Sequence, residues 1–312
     1  MRLLKTRSFG DYFTDTFQFF KENFSGLILN FLKLQGILFV ILIVAMYFHL
    51  DNIMNQFGGD MYNMDTYPQD FSSIYIFLPI LTCMIVGIIS TVISANYIPI
   101  YMELYRTKQK DINFNDILEK FKEHSKRMFL LSLALILLFI PIYIFIAITL
   151  VISMFTIVGW ILVGAFYISY FSQIWYYSHY YQSSSYKTLS ETFNLYKDNF
   201  FKITGATSLL LAMFTIAYYI LLACVMLFAS DDYSSEAISA DPFNILFDNM
   251  VMYMVILQPI ILVGGSIVSL IVQIQQGMIF YSRVNDIDQI SEHEEIDSIG
   301  DKFDMNSFIK KH

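Results

Sequence analysis

The sequence predicts an all-α polytopic membrane protein: six transmembrane helices built as three parallel repeats, each with a preceding cytoplasmic interfacial amphipathic helix. Three observations predict it. The chain is 56% hydrophobic and 17% aromatic but only 15% charged, where a soluble chain of this length carries roughly a quarter charged residues. Six stretches stay apolar for about 20 residues or more, the length that crosses a bilayer core. One phrase occurs twice, each time just ahead of such a stretch: Thr-Asp-Thr-Phe-Gln-Phe-Phe-Lys-Glu-Asn-Phe at residues 14–24, and Ser-Glu-Thr-Phe-Asn-Leu-Tyr-Lys-Asp-Asn-Phe at 190–200. A weaker copy at 116–125 keeps Asp116, Phe121, Lys122 and Glu123.

The first repeat, residues 8–106, opens with Ser8-x-x-Asp11, a capping side chain three residues before an acid. The acid also suits the positive end of the helix dipole. Phe9, Phe13, Phe17, Phe20 and Phe24 recur every three or four residues, while Asp11, Asp15, Gln18 and Glu22 take another face. Such a helix is expected to lie along the membrane surface and then bend into the first span, residues 27–49. Its aromatic stripe has two candidate burials, lipid and the protein's own bundle. Lys33 is the one basic residue inside a span. It lies about 9 Å along the axis from the helix end, a depth from which lysine snorkels to the headgroups. The competing use, a buried cation facing an anion, fits the nearby Asn30 and Gln35 less well. The second span covers residues 74–100.

The second repeat, 113–181, opens with Asn113-x-x-Asp116 and carries Lys120, Lys122, Lys126 and Arg127. Each of these cations could gain about 1 kcal/mol from anionic lipid. Its spans, 128–150 and 157–179, run almost together, with a tight turn expected near Ser153–Gly159. The third repeat, 188–283, opens with Thr188-x-x-Glu191 and holds spans 203–229 and 251–281. Pro99, Pro141 and Pro259 fall within or at the end of spans and read as kinks. Parallel repeats of this kind imply pseudo-symmetry about the membrane normal. Residues 1–283 form one membrane domain, and 284–312 an acidic cytoplasmic tail.

Charge orients the bundle. The connections at 50–73 and 230–250 hold nine carboxylates and no Lys or Arg. Seven cations lie between Arg106 and Arg127. The positive-inside rule places both termini and the basic connections in the cytoplasm, with the bacterial inner membrane as the expected location.

The even-numbered spans carry polar stripes: Ser90, Ser94, Tyr97 and Tyr101; Ser169, Ser172, Tyr176 and His179; Ser266, Ser269, Gln273 and Gln276. Polar groups avoid lipid, so these should face the bundle interior. Interhelical hydrogen bonding is their usual role. A cytoplasm-facing pocket for a small ligand or lipid headgroup is the sharper alternative, with Ser94, Tyr101, Ser172, Tyr176, His179, Gln273 and Gln276 as lining candidates.

Lys21-Glu-Asn-Phe24, Tyr101-Met-Glu-Leu-Tyr-Arg106 and the tail Glu295-Ile-Asp-Ser-Ile-Gly300 resemble the membrane domain attached to some bacterial glycerophosphodiester phosphodiesterases. They also resemble related stand-alone six-span bacterial membrane proteins. The resemblance implies an accessory or envelope-associated protein. The phosphodiesterase's catalytic barrel, about 250 residues, has no counterpart here, so no catalytic residue carries over.

No residue pattern supplies enzymatic chemistry. The histidines, His49, His124, His179, His293 and His312, form no HExxH pair, and there is no Walker loop, GxGxxG, GxSxG or EF-hand loop. Glu103 is the one carboxylate near a polar stripe, and its expected partner is Arg106, three residues on. Cys83 and Cys224 read as small apolar fillers. The first external loop mixes His49, Met54, Met61, Met64 and four Asp in irregular spacing, which reads as a solvated acidic loop rather than a metal site. The expected reading is therefore a non-enzymatic scaffold or accessory subunit, with a small-solute or lipid transporter as the rival. Membrane lipids are the expected partners, together with a protein docked on the tail. No cofactor, metal or nucleic acid is expected.

Overall fold

The computed structural model describes the backbone of residues 1–57, 73–108, 112–153, 157–230 and 242–288, with side chains over 1–49, 77–108, 112–135, 159, 161–221 and 262–287. Among these residues there are seven helices and no strand: α1 (Phe9–Phe57), α2 (Ser73–Lys108), α3 (Phe114–Ser153), α4 (Ile157–Tyr181), α5 (Ser185–Lys197), α6 (Phe200–Ser230) and α7 (Pro242–Asp288). Four stretches are long and apolar enough to cross a membrane: Phe9–His49, Phe77–Lys108, Phe200–Leu221 and Leu262–Ile287. The protein is thus a multi-pass membrane protein in character. The other two expected spans fall on α3 and α4, where the side chains of residues 136–158 lie outside the described set. Helix continues through Pro99, Pro141 and Pro259. It also reaches into both expected acidic connections, since α1 runs to Phe57 and α7 begins at Pro242. The remainder of those connections, and the tail beyond Asp288, lie outside the described residues.

The repeated phrase folds differently in its copies. In α1 and α3 the amphipathic turns and the hydrophobic run are one uninterrupted helix, whereas in the third copy α5 ends at Lys197 and α6 starts at Phe200. The substitution at the joint accounts for this. Where the first copy has Glu22, the third has Asp198, a poorer helix former, and Asn199 there donates its N–H to the Tyr196 carbonyl at 3.1 Å.

Helix starts follow the sequence signals in two copies of three. Ser8 donates its backbone N–H (2.8 Å) and its hydroxyl (2.7 Å) to Asp11 Oδ2, and Asp11 N–H returns to Ser8 Oγ at 3.4 Å. In the second copy Asn113 N–H reaches Asp116 Oδ2 at 3.1 Å. The third expectation is corrected. α5 starts at Ser185, with Ser184 as its N-cap, so Thr188 is already inside the helix and buried. The helix begins a turn earlier without a side-chain cap bond from Ser184, and Ser183 Oγ meets Thr188 Oγ1 at 2.8 Å. Asp11→Ala should remove the reciprocal cap and lower the thermal midpoint. An unchanged thermal midpoint in detergent would show that the cap contributes nothing.

The phrase's acid does more than suit the helix dipole. Asp15 takes Arg7 at 2.7 Å and Asp116 takes Lys108 at 2.7 Å, in each case a cation eight residues earlier in the chain. The bond from Lys108, together with the Asn113 N–H, holds the Asp116 carboxyl below its ordinary range.

The chain clusters into two compact units, one of residues 1–24, 98–209 and 271–312, the other of 25–97 and 210–270. In the second unit Gln35 joins α1 to α2. Its amide donates to the Ser90 carbonyl (2.8 Å) and Ser94 Oγ (2.9 Å), and its oxygen accepts from Ser90 Oγ (2.8 Å). Tyr97 adds a bond from its hydroxyl to the Leu27 carbonyl at 2.6 Å. The outer faces of these helices are apolar, with Leu29, Ile37, Val40, Phe77, Leu81 and Ile88 exposed, a surface far larger than soluble proteins leave uncovered. Exposed Thr82 and Thr91 turn their hydroxyls back onto their own helix carbonyls, both at 2.8 Å, which satisfies them without water. Lys33 is also exposed, on the face away from buried Asn30 and Gln35.

Candidate functional site

The first unit holds six of the seven lining candidates, all but Ser94, and its polar residues gather in two layers. The deeper layer is a belt of amides and hydroxyls. On α4, Gln173 Nε2 donates to the Gln276 carbonyl (3.0 Å) and to Gln276 Oε1 (3.2 Å). Gln276 in turn donates to Thr207 Oγ1 on α6 at 2.7 Å. Gln275 Nε2 reaches the Ala206 carbonyl at 3.2 Å. Tyr176 donates to the Gln273 carbonyl at 2.8 Å, with Met102 Sδ 3.3 Å away. A separate knot joins Ser169 Oγ, Tyr196 OH and Thr204 Oγ1 through contacts of 2.7 and 2.6 Å.

Three of the seven lining candidates, Ser94, Tyr176 and Gln276, make side-chain hydrogen bonds between helices. Gln276 and Tyr176 lie in this belt, Gln273 enters it through its backbone carbonyl, and Ser94 belongs to the Gln35 cluster of the other unit. Tyr101 is buried with its ring edge-on to Phe19 at 6.3 Å. Ser172 is half-buried, and Ser266 bonds to the Leu262 carbonyl of its own helix at 2.7 Å. Gln173, Gln275 and Thr207 were not anticipated. Their signal was present, since a polar residue in a membrane-length helix faces a partner, but Thr207 lies on an odd-numbered span and falls outside the even-span stripes.

The second layer is ionisable. Glu103 near the end of α2, His124 on α3 and His179 near the end of α4 bring one ligating atom each to within 4.8 Å of one another, all three buried. Glu103 Oε2 is 3.5 Å from His124 Nε2 and 4.0 Å from His179 Nδ1. The two imidazoles stand edge to face at 5.0 Å. The other carboxylate oxygen, Oε1, takes Lys120 at 3.2 Å, and Lys120 also reaches Glu123 at 2.9 Å. Those carboxylates, Glu123 foremost, raise the affinity of Lys120 for its proton. Arg106 is not the partner of Glu103. Its guanidinium stacks over the Tyr180 ring at 4.7 Å, because the start of α3 offers Glu103 a closer cation in Lys120. His124 replaces the asparagine of the repeated phrase, Asn23 and Asn199 in the other copies, and His179 stands where the matching ending Phe280-Tyr-Ser-Arg283 has arginine.

The outer face of the first unit is aromatic. Over residues 9–24, the first phrase and the turn before it, Tyr12, Asp15, Thr16 and Phe19 pack inward, whereas Phe9, Phe17 and Phe24 are exposed. Residues 188–200 repeat this: Thr188, Thr192 and Tyr196 are buried, and Phe193 and Phe200 are exposed. Of the Phe stripe, Phe9, Phe17 and Phe24 are exposed and Phe13 and Phe20 half-buried, so most of it faces away from the chain's own bundle. Inward packing belongs to the threonine face instead, since Thr16, Ile117 and Thr192 occupy one position of the three copies and are all fully buried. Comparison with protein-family models, curated proteins and solved structures finds no match for this chain.

Proposed function

We propose that this protein is a non-enzymatic scaffold or accessory subunit of the bacterial inner membrane, with six spans in three parallel repeats and both termini in the cytoplasm. The observation that carries the reading is the fate of the polar stripes. Gln276, Tyr176 and Ser94 spend side-chain hydrogen bonds on neighbouring helices, as residues do when they hold a bundle together. A solute pathway would need polar groups left for the solute. The exposed phenylalanines of the two clearest copies of the phrase suit the membrane interface, and the acidic residues after Arg283 suit a basic cytoplasmic partner. Kinship with the membrane domain attached to glycerophosphodiester phosphodiesterases is part of this proposal.

Gln276→Ala separates the scaffold from a transporter. It should lower the thermal midpoint of the detergent-solubilised protein by the equivalent of about 1–2 kcal/mol. No polar metabolite or phospholipid should shift the midpoint of the unmutated protein. A ligand-dependent stabilisation that Gln276→Ala abolishes, with the unliganded midpoint unchanged, would overturn the scaffold reading in favour of the transporter.

A further inference from the structure

We propose that Glu103, His124 and His179 form a binding site for one divalent first-row transition metal ion, with zinc the ion that best suits their chemistry. Two imidazole nitrogens and one carboxylate oxygen are the donor set of an open tetrahedral zinc site, which leaves a fourth position for water or another ligand. Bonds of about 2.0–2.2 Å at tetrahedral angles put neighbouring donors about 3.4 Å apart. Glu103 Oε2 and His124 Nε2 already stand at 3.5 Å, and His179 Nδ1 is 4.0 Å from the same oxygen. Small side-chain rotations within the 4.8 Å cluster bring all three to coordination distance.

Hydrogen bonding does not account for the arrangement. Buried Glu103 Oε2 and His124 Nε2 make no hydrogen bond, and 3.5 Å is too long for one, yet buried polar atoms ordinarily find a partner. A cation between them would satisfy both. The surroundings supply the outer support that metal carboxylates require: Glu103 Oε1 is held by Lys120 at 3.2 Å, and Lys120 by Glu123 at 2.9 Å. Glu123 also offsets the Lys120 charge, so the ion would not face an uncompensated ammonium. The three ligands come from three helices, so one ion would clamp α2, α3 and α4 together. Both histidines are departures from the repeated pattern of this chain, and they converge on one carboxylate. The inference does not depend on the scaffold reading, because a transporter could carry the same clamp.

The test uses the full-length protein without a histidine tag, stripped with EDTA in detergent, equilibrated with zinc alone and analysed by mass spectrometry for metal. One zinc per chain should survive dialysis and raise the thermal midpoint. Glu103→Gln, His124→Gln and His179→Gln should each weaken zinc binding by at least about 100-fold. Lys122→Gln, an exposed change on the same helix as His124, should leave zinc binding unaltered. Cobalt substituted into the unmutated protein should give the intense visible bands of four-coordinate Co²⁺, a readout that survives even if a variant fails to fold. No retained zinc, affinity unchanged in the three variants, or only the weak spectrum of six-coordinate cobalt would overturn the proposal.

Discussion

Arg7→Ala is expected to destabilise the protein by about 3 kcal/mol, the lower end of the cost of breaking a buried ion pair, because Lys5 at 2.9 Å remains as a partner for Asp15. Arg7 is fully buried although it is charged and lies ahead of the first helix. Its Nε donates to Asp15 Oδ2 at 2.7 Å, Nη1 to the Leu3 carbonyl at 2.6 Å and Nη2 to the Arg2 carbonyl at 3.1 Å. Nη1 also lies 3.4 Å from the Met278 carbonyl of α7, and the Arg7 N–H donates to Ser282 Oγ at 3.0 Å. The guanidinium thus folds residues 2–7 into a hook and pins it to both α1 and α7. Burial lowers its proton affinity and Asp15 works against that, while guanidinium remains charged in proteins. Arg7→Lys should fail to rescue, because an ammonium lacks the planar fork that reaches several acceptors at once. The double change Arg7→Met with Asp15→Leu should cost less than Arg7→Ala, since it leaves no buried charge behind. Thermal unfolding of these proteins and of the single variants Arg7→Met and Asp15→Leu in one detergent decides the point. A double variant as unstable as the sum of two single losses would mean that packing, and not charge, holds the hook.

Gly277→Ala should cost about 1–3 kcal/mol, the range for forcing an extra carbon into a filled core. A Cβ built at Gly277 would stand 2.3 Å from Met102 Sδ, 2.6 Å from Tyr176 OH and 2.8 Å from Tyr176 Cζ. The methionine can yield by rotating, but the tyrosine cannot easily. Its ring is buried, stacked on Phe280 at 5.7 Å, and tied through its hydroxyl to the Gln273 carbonyl. The requirement is therefore for closeness between α7 and α4, the use that small residues have at helix contacts in membranes. Gly277→Ala should cost less in a Tyr176→Phe background, which removes the atom at 2.6 Å, and less again when Met102→Ala is added. Equal costs in all three backgrounds would show that Gly277 serves only the conformation of its own helix.

Glu103, His124 and His179 lie scattered over three segments, and nothing in their linear spacing links them. Each reads alone as an interface residue. A comparison of the repeats against each other holds a clue: His124 breaks an asparagine position and His179 breaks a shared ending. That clue marks where the second repeat departs, but proximity requires the helices to pack. Arg7 gave even less warning. As one of several cations near the N-terminus it looks like a solvated, cytoplasmic-facing charge, and only the carbonyls gathered around it reveal that it is core.

The linear chain determined its helical character and its affinity for a membrane, because both depend on composition and local periodicity. A run of about 20 apolar residues needs lipid whatever its neighbours do. It also determined two of the three helix starts, since Ser8 with Asp11 and Asn113 with Asp116 are short-range bonds. Tertiary structure alone decided which face of each amphipathic stretch is inside. Aromatic periodicity points to the phenylalanines, yet it is Thr16 and Thr192 that are buried and Phe17 and Phe193 that are exposed. Hydrophobicity says that a face avoids water, and in a membrane protein two media satisfy that demand. The small hydroxyl side lets helices approach closely and bond, and so it turns toward the protein. The large apolar side meets no penalty facing outward.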